Sequence, residues 1–186
     1  MVPLPPAKGR LLVATPPLVD ENFDRTVVLL LEHGPEGALG VVLNRPSGTE
    51  VEEALPGWGR LAADPPLVFV GGPVGEDAAL AVGLARRDEE PAGWLPVVGR
   101  LGTVDLHREP LRLAPSIESV RVFAGYAGWG AGQLEGEIGA GGWIVAEALP
   151  GDAVTSHPLD LWRTVLRRQP GRTAWLANFP DDVSVN

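Results

Sequence analysis

Four side chains near the start of the chain have the types and spacing to handle an anion. Arg25 and Arg45 could each grip a carboxylate or phosphate through two parallel N–H donors. Asp20 could hold or release a proton, and Asn44 could orient what the arginines bind. A second group is more scattered: Glu32 and His33 at the end of an apolar run, and Trp129, Gln133 and Glu135 in the stretch YAGWGAGQLE at 126–135. Glu32 and His33 look like an acid–base pair, yet neighbours on a regular strand point to opposite faces. They serve one site only where a bulge intervenes, and a lone His at a strand end is usually a hydrogen-bonded structural residue.

The glycines at 125, 128, 130 and 132 lead into a helical turn, a path that can offer backbone N–H groups to an anion. Gln133 stands where a dinucleotide fingerprint needs its third glycine. Glu135 and Glu137, in the first turn, complement the helix dipole and repel a phosphate. The glycines are therefore read as tight packing around Trp129. Trp129, flanked by glycines, is expected partly exposed at a cleft or interface. Recognised catalytic signatures are absent: no G-x-S-x-G elbow, no H-E-x-x-H, and one lysine, Lys8, so no Walker A loop. His33, His107 and His157 lie at no metal-ligand spacing. With no cysteine, disulfides, thiolate nucleophiles and Cys-based metal sites are excluded. No metal and no cofactor is expected.

A hairpin has to position the first group. Residues 26–33 (TVVLLLEH) form a strand, β-branched at its start and apolar enough for burial on both faces, hence central. A turn at 34–37 returns the chain as a strand over 38–44. A symmetric turn sets His33 against Ala38, Leu31 against Gly40 and Val27 against Asn44. Glu32, His33 and Glu36 then belong to the tip, and Asp20, Asp24, Arg25, Asn44 and Arg45 to the base, about 20 Å away. The base is the better candidate site, although charges so placed often simply pair with one another. Further strands are read at 10–14, 67–71, 79–85, 99–105, 118–124 and 143–148. Short helices are read at 50–55, 106–114 and 131–137, the first opened by a Thr49/Glu52 capping box. The clearest helix is 158–169, with Leu159, Trp162 and Leu166 on one apolar stripe. Strands outnumber helices without alternating regularly, so the fold class is α+β and not a doubly wound parallel sheet.

The 186 residues suggest one domain, and 45% hydrophobic with 21% charged residues describes an ordinary globule. The start, MVPLPPAKGR, has no long apolar stretch, and the longest aliphatic run, Val27 to Leu31, is far short of a membrane span of ~20 residues. A soluble cytoplasmic protein is expected. Net charge is −9, and Arg86-Arg87 is answered at once by Asp88-Glu89-Glu90. The other basic run, Arg163, Arg167, Arg168 and Arg172, falls where it complements a helix C-terminus. Nucleic acid is therefore a disfavoured partner.

Asp20, Phe23, Arg25-Thr26-Val27-Val28, Glu32-His33, Glu36-Gly37, Gly40 and Asn44-Arg45-Pro46 together resemble the opening signature of the YqgE/AlgH family. VFVGGPV at 68–74, YAGWGAGQLE at 126–135 and PDDVSVN at 180–186 match it in order, with Val183 where the closing motif would have proline. The resemblance spans nearly the whole chain. It implies a mixed, strongly bent, partly barrel-like sheet surrounded by helices. It also brings a label of transcriptional regulator, carried by some members through association with polysaccharide synthesis. It supplies no catalytic residues. The preferred expectation is a non-enzymatic regulatory or ligand-binding protein, with a small molecule or another protein as partner. The alternatives are an enzyme acting on a small anionic metabolite through Asp20, Arg25, Asn44 and Arg45, and a regulator that binds DNA directly.

Overall fold

The apolar run of the first hairpin sets the architecture. In the computed structural model, which describes residues 4–18, 20–87 and 90–181, β2 (Val27–Gly34) lies between β1 (Arg10–Ala14) and β3 (Gly37–Val42), antiparallel to both. Its side chains alternate: Val27, Leu29 and Leu31 enter one core, Val28 and Leu30 another. In β1, Leu11 and Val13 oppose Leu12 and Ala14 in the same way. A strand with a core on each face must be apolar throughout, which is why no amphipathic alternation shows in its sequence.

The 14-residue β9 (Ile117–Gly130) joins the two halves of the sheet. Its end pairs antiparallel with β3; its start pairs antiparallel with β6 (Val74–Ala85) and parallel with β5 (Leu67–Val70). With β7 (Trp94–Val98), β8 (Leu101–Val104) and β10 (Trp143–Glu147), the order is β10-β1-β2-β3-β9-β6-β8-β7, and β4 (Pro46–Glu50) pairs β5 off that path. The result is a mixed α+β fold, mostly strand, with a strongly curled half-barrel sheet. Curling brings the chain just before β1 against the end of β7. A Cβ on Gly9 (φ +82°) would lie 2.6 Å from the Val98 side chain.

The concave side holds the central core, where Phe69 and Phe123 meet edge to face. Helix α4 (Leu161–Arg167) closes it with Leu161, Trp162, Val165 and Leu166. Leu159, expected on this stripe, is instead 77% exposed, because Pro158–Asp160 forms a 3-10 turn that rotates it outward. A second core covers the outer face of β6 and β9 with Trp58, Trp94 and Ile117. A third lies outside β1–β3 under α3 (Gln133–Gly139).

Several expectations need correction. The capping box does not form: Thr49 lies in β4, drawn there by pairing with β5, and the helix shrinks to α1 (Val51–Ala54). Glu52 instead accepts the N–H groups of Gly57 and Gly59, at 3.0 and 2.9 Å. The strand read at 118–124 runs on as β9 through the Gly-rich stretch to Gly130, where β3 takes up its edge and leaves the glycines to packing. A bulge between Leu30 and Glu32 shifts the hairpin register. His33 does face Ala38, but Leu30 takes Gly40 and Val28 faces Val42. The helix read at 106–114 is the single turn α2 (Pro110–Leu113). Asp88, Glu89 and the closing motif beyond Asp181 lie outside the described residues.

Candidate functional site

The hairpin base is assembled by hydrogen bonds from side chain to backbone. Asn44 accepts the Val27 N–H through Oδ1 and donates to the Arg25 carbonyl through Nδ2, both at 2.9 Å. This clip holds Arg25 with φ 51°, a left-handed conformation that costs a non-glycine residue ~1 kcal/mol or more. Asp20 organises the turn before it: Oδ1 accepts the Asn22 N–H at 2.8 Å, and its carbonyl accepts from Phe23 and Asp24. Arg45 donates to the carbonyls of Asn22 (2.5 Å) and Asp24 (3.3 Å) and borders a hollow of about 40 Å³ with Gly72, Pro73 and Glu76. Burial lowers its pKa, against the opposing pull of the Asp24 and Asp20 charges.

Arg25 has different partners. Its Nη1 lies 2.5 Å from Asp181 Oδ1, its Nη2 donates to the Pro180 carbonyl, and its guanidinium sits over Trp162, 5.2 Å from the ring centre. Arg163, on α4, reaches the same Oδ1 at 2.5 Å, also lies over Trp162, and donates to the carbonyls of Ala177 and Phe179. The base thus contains the four expected residues plus Arg163 and Asp181. Arg163 was read as a dipole-complementing cation. Its neighbour Arg168 is likewise spent on tertiary contacts, gripping Asp152 at 2.8 and 2.5 Å.

At the tip the expected residues find separate partners. Glu32 faces Lys8 at 3.6 Å, and His33 Nε2 meets Glu135 Oε1 at 2.7 Å, a contact that holds the Glu135 carboxyl below its ordinary range. Gln133 accepts from the Gly130 N–H and donates to Glu137, both at 3.0 Å. Glu137 Oε2 accepts the indole N–H groups of Trp129 (3.0 Å) and Trp143 (2.8 Å), and Phe23 packs against both rings. Trp129 is therefore buried, 6% exposed, and no cleft residue. The α3 helix covers it, and Glu137 supplies the acceptor that a buried indole needs. Glu137 was read with Glu135 as a first-turn acid, but α3 starts at Gln133 and Glu137 lies a turn further on; neither it nor Arg163 was read as a site residue. A carboxylate spaced to face two tryptophans was the available signal for Glu137.

A hollow of about 650 Å³ lies away from all these residues, beside α1 and α2 and lined by Glu50, Glu52, Arg60, Pro66 and Leu111. Both oxygens of Glu52 are committed to Gly57 and Gly59, so volume there comes without convergent chemistry. No group of three or more His, Asp or Glu side chains among the described residues is arranged to hold a metal ion. No helix among them is long and apolar enough to cross a membrane.

The AlgH-like family profile matches residues 11–174. The chain belongs to this family. A UPF0301 protein of Streptomyces avermitilis is 55% identical over 182 residues, covering 96% of this chain and 94% of its own length. A UPF0301 protein of Mycobacterium leprae is 49% identical over 181 residues, with 96% and 90% covered. A crystal structure of a Corynebacterium diphtheriae protein superposes with a TM-score of 0.91 at 34% identity, covering 96% of this chain and 95% of that one. The solution structure of the AlgH protein from Pseudomonas aeruginosa gives 0.65 at 28%, covering 92% and 99%.

In this AlgH-like chain parts of each stretch that carries the family signature meet near the hairpin base, while Glu32, His33 and residues 129–135 lie at its tip. Val70 N–H donates to the Arg45 carbonyl, Gly71 N–H to Ala124, and Val42 N–H to Gly71, each at 2.8 Å. Gly72 packs so closely on the Tyr126 backbone that a Cβ there would collide with it. Arg25, from the opening stretch, binds the Pro180–Asp181 start of the closing one.

Proposed function

We propose that this protein is a cytosolic binding protein, regulatory in effect, that holds an anionic ligand or partner group without converting it. The hairpin base carries this reading. Its guanidiniums, from Arg25, Arg45 and Arg163, are held by backbone carbonyls and one exposed carboxylate, while Asp20 is committed to its own turn. Guanidiniums fixed in place beside an Asp20 carboxylate that serves its own turn favour recognition over proton transfer. The net charge of −9 opposes direct DNA binding as the regulatory route.

Thermal melts against a panel of anionic metabolites and nucleotides test the proposal. A ligand at about 100-fold its Kd stabilises by ~2.7 kcal/mol. At least one anion is expected to raise the melting temperature of the wild type. Arg25→Ala or Arg45→Ala should fold and lose that response. A panel without a hit, or variants that lose stability but keep the response, would reject the proposal.

A further inference from the structure

Arg25 and Arg163 meet on a single oxygen. Arg25 Nη1 and Arg163 Nη2 each lie 2.5 Å from Asp181 Oδ1, so the two nitrogens are at most twice that distance apart. Among the described residues Asp181 is the one carboxylate that either arginine pairs with. Among the described residues two positive charges therefore share one carboxylate, and the partners differ in exposure. The arginine side chains are 20 and 24% exposed and the aspartate 84%. The cations belong to the body of the fold; the anion is laid on from outside.

Each cation has a contact besides Asp181, and both lie over the Trp162 ring. Arg25 is fixed through its backbone, which Asn44 clips in the left-handed conformation. Arg163 is fixed by the carbonyls of Ala177 and Phe179. Beneath both lies Trp162, whose indole N–H is anchored to the Ala14 carbonyl at 2.8 Å. Preorganised guanidiniums over an aromatic platform form a receptor for a planar or tetrahedral oxyanion. A strained backbone at one of them is the kind of outlier that accompanies a binding role.

We propose that Arg25, Arg163 and the Trp162 ring form an oxyanion site, that Asp181 is its removable internal occupant, and that a phosphate-type dianion displaces it. One carboxylate leaves the pair a net positive charge, whereas a dianion neutralises it and has oxygens enough for both forks. Displacement also frees Pro180, whose carbonyl Arg25 holds, so occupancy is coupled to the docking of residues 180–181. The inference rests on the binding reading above and assigns it a site and a ligand class.

Inorganic phosphate is the probe, titrated by calorimetry at constant ionic strength against chloride, which removes general screening. In the wild type the tethered carboxylate competes, so the apparent affinity falls by the fraction of sites left open. Asp181→Asn, at an exposed position, is expected to melt within a few degrees of the wild type and to bind phosphate at least tenfold more tightly. Adding Arg163→Gln should abolish that binding. Glycerol phosphate in the same titration separates the sources: tighter binding than phosphate assigns a phosphate monoester, weaker binding the free ion. Equal affinities in wild type and Asp181→Asn, or no phosphate binding in Asp181→Asn, overturn the proposal. So does a large loss of melting temperature in Asp181→Asn, which makes Asp181 an ordinary staple. Should phosphate fail while the metabolite panel gives a hit lost in Arg45→Ala, the clamp is wrong and the binding reading stands.

Discussion

Arg121 is the most demanding side chain in the fold, and replacing it by methionine should be severe. It is 1% exposed, and its guanidinium donates to the carbonyls of Ala63 (3.0 Å), Asp64 (3.0 Å), Pro65 (2.7 Å) and Thr155 (2.8 Å), with a longer contact to Ala153 (3.4 Å). The Phe69 ring lies 4.1 Å away. One residue of β9 thus ties the loop before β5 to the segment before α4. Methionine fills much of the stem volume but leaves those carbonyls without donors, at ~1–3 kcal/mol for each that stays dry. Some will recruit water, so the whole loss should be about 3–5 kcal/mol, the range for breaking a buried charged network. For a chain of this length that is roughly 6–20 °C in melting temperature. Burial pulls the Arg121 pKa down to about 10, against the Asp64 charge, so the group stays cationic at neutral pH. Because the folded value lies below that of a free guanidinium, the unfolded chain binds more protons only above pH ~10. Arg121 therefore adds no pH dependence between pH 5 and 9, and its own contribution to stability rises with pH only beyond that window. Urea unfolding of Arg121→Met at pH 7 is the assay, with Arg121→Lys expected in between because one ammonium has only three donors. A loss under ~1 kcal/mol would refute the argument that these carbonyls depend on Arg121.

Asn44→Ala should cost about 1–3 kcal/mol, since two backbone partners at 2.9 Å lose their side chain, and amide exchange at Val27 should accelerate with it. Glu137→Ala removes the acceptor of two indoles and should cost about 2–4 kcal/mol by thermal denaturation; an unchanged melting curve would mean water replaces it. The His33 hydrogen bond depresses the Glu135 carboxyl below its ordinary value of 4.5, so its contribution is present above that pH and is lost on acidification. Glu135→Gln should flatten the acid limb of the stability profile below pH 4.5, and an identical limb in both proteins would reject the pairing. Duplex DNA should bind no tighter than ~10⁻⁴ M at physiological salt, and a nanomolar mobility shift would contradict the charge argument.

The hairpin was legible because its signals are local: a β-branched apolar run, a four-residue turn and an apolar return. Burial on both faces of β2 followed from the unbroken run of Val27 to Leu31. The bulge at Leu31 was not legible, because it answers to β1 and β3 together and no residue in the run marks it. Strand β4 escaped notice because Pro46–Glu50 has almost no apolar side chains and is a strand by virtue of β5 alone. At the site, Asp20, Arg25, Asn44 and Arg45 were placed together from register, and Asn44 still bridges to the Arg25 carbonyl although the register slips by one. Arg163 and Asp181 lie more than a hundred residues away in sequence from Arg25, and only the closing of α4 over the half-barrel brings them there. Arg121 was a charge set between Val120 and Val122-Phe123, a signal visible in ESVRVFA but without its carbonyl partners in view.

Binding without conversion is decided most directly by ligand-observed NMR. The wild-type protein is mixed with the anionic panel, saturation transfer is read at once, and the ligand spectra are read again after a day. The account predicts saturation transfer to at least one anion, competed by inorganic phosphate, with every ligand spectrum unchanged. A new product signal, or no transfer to any anion, would contradict it.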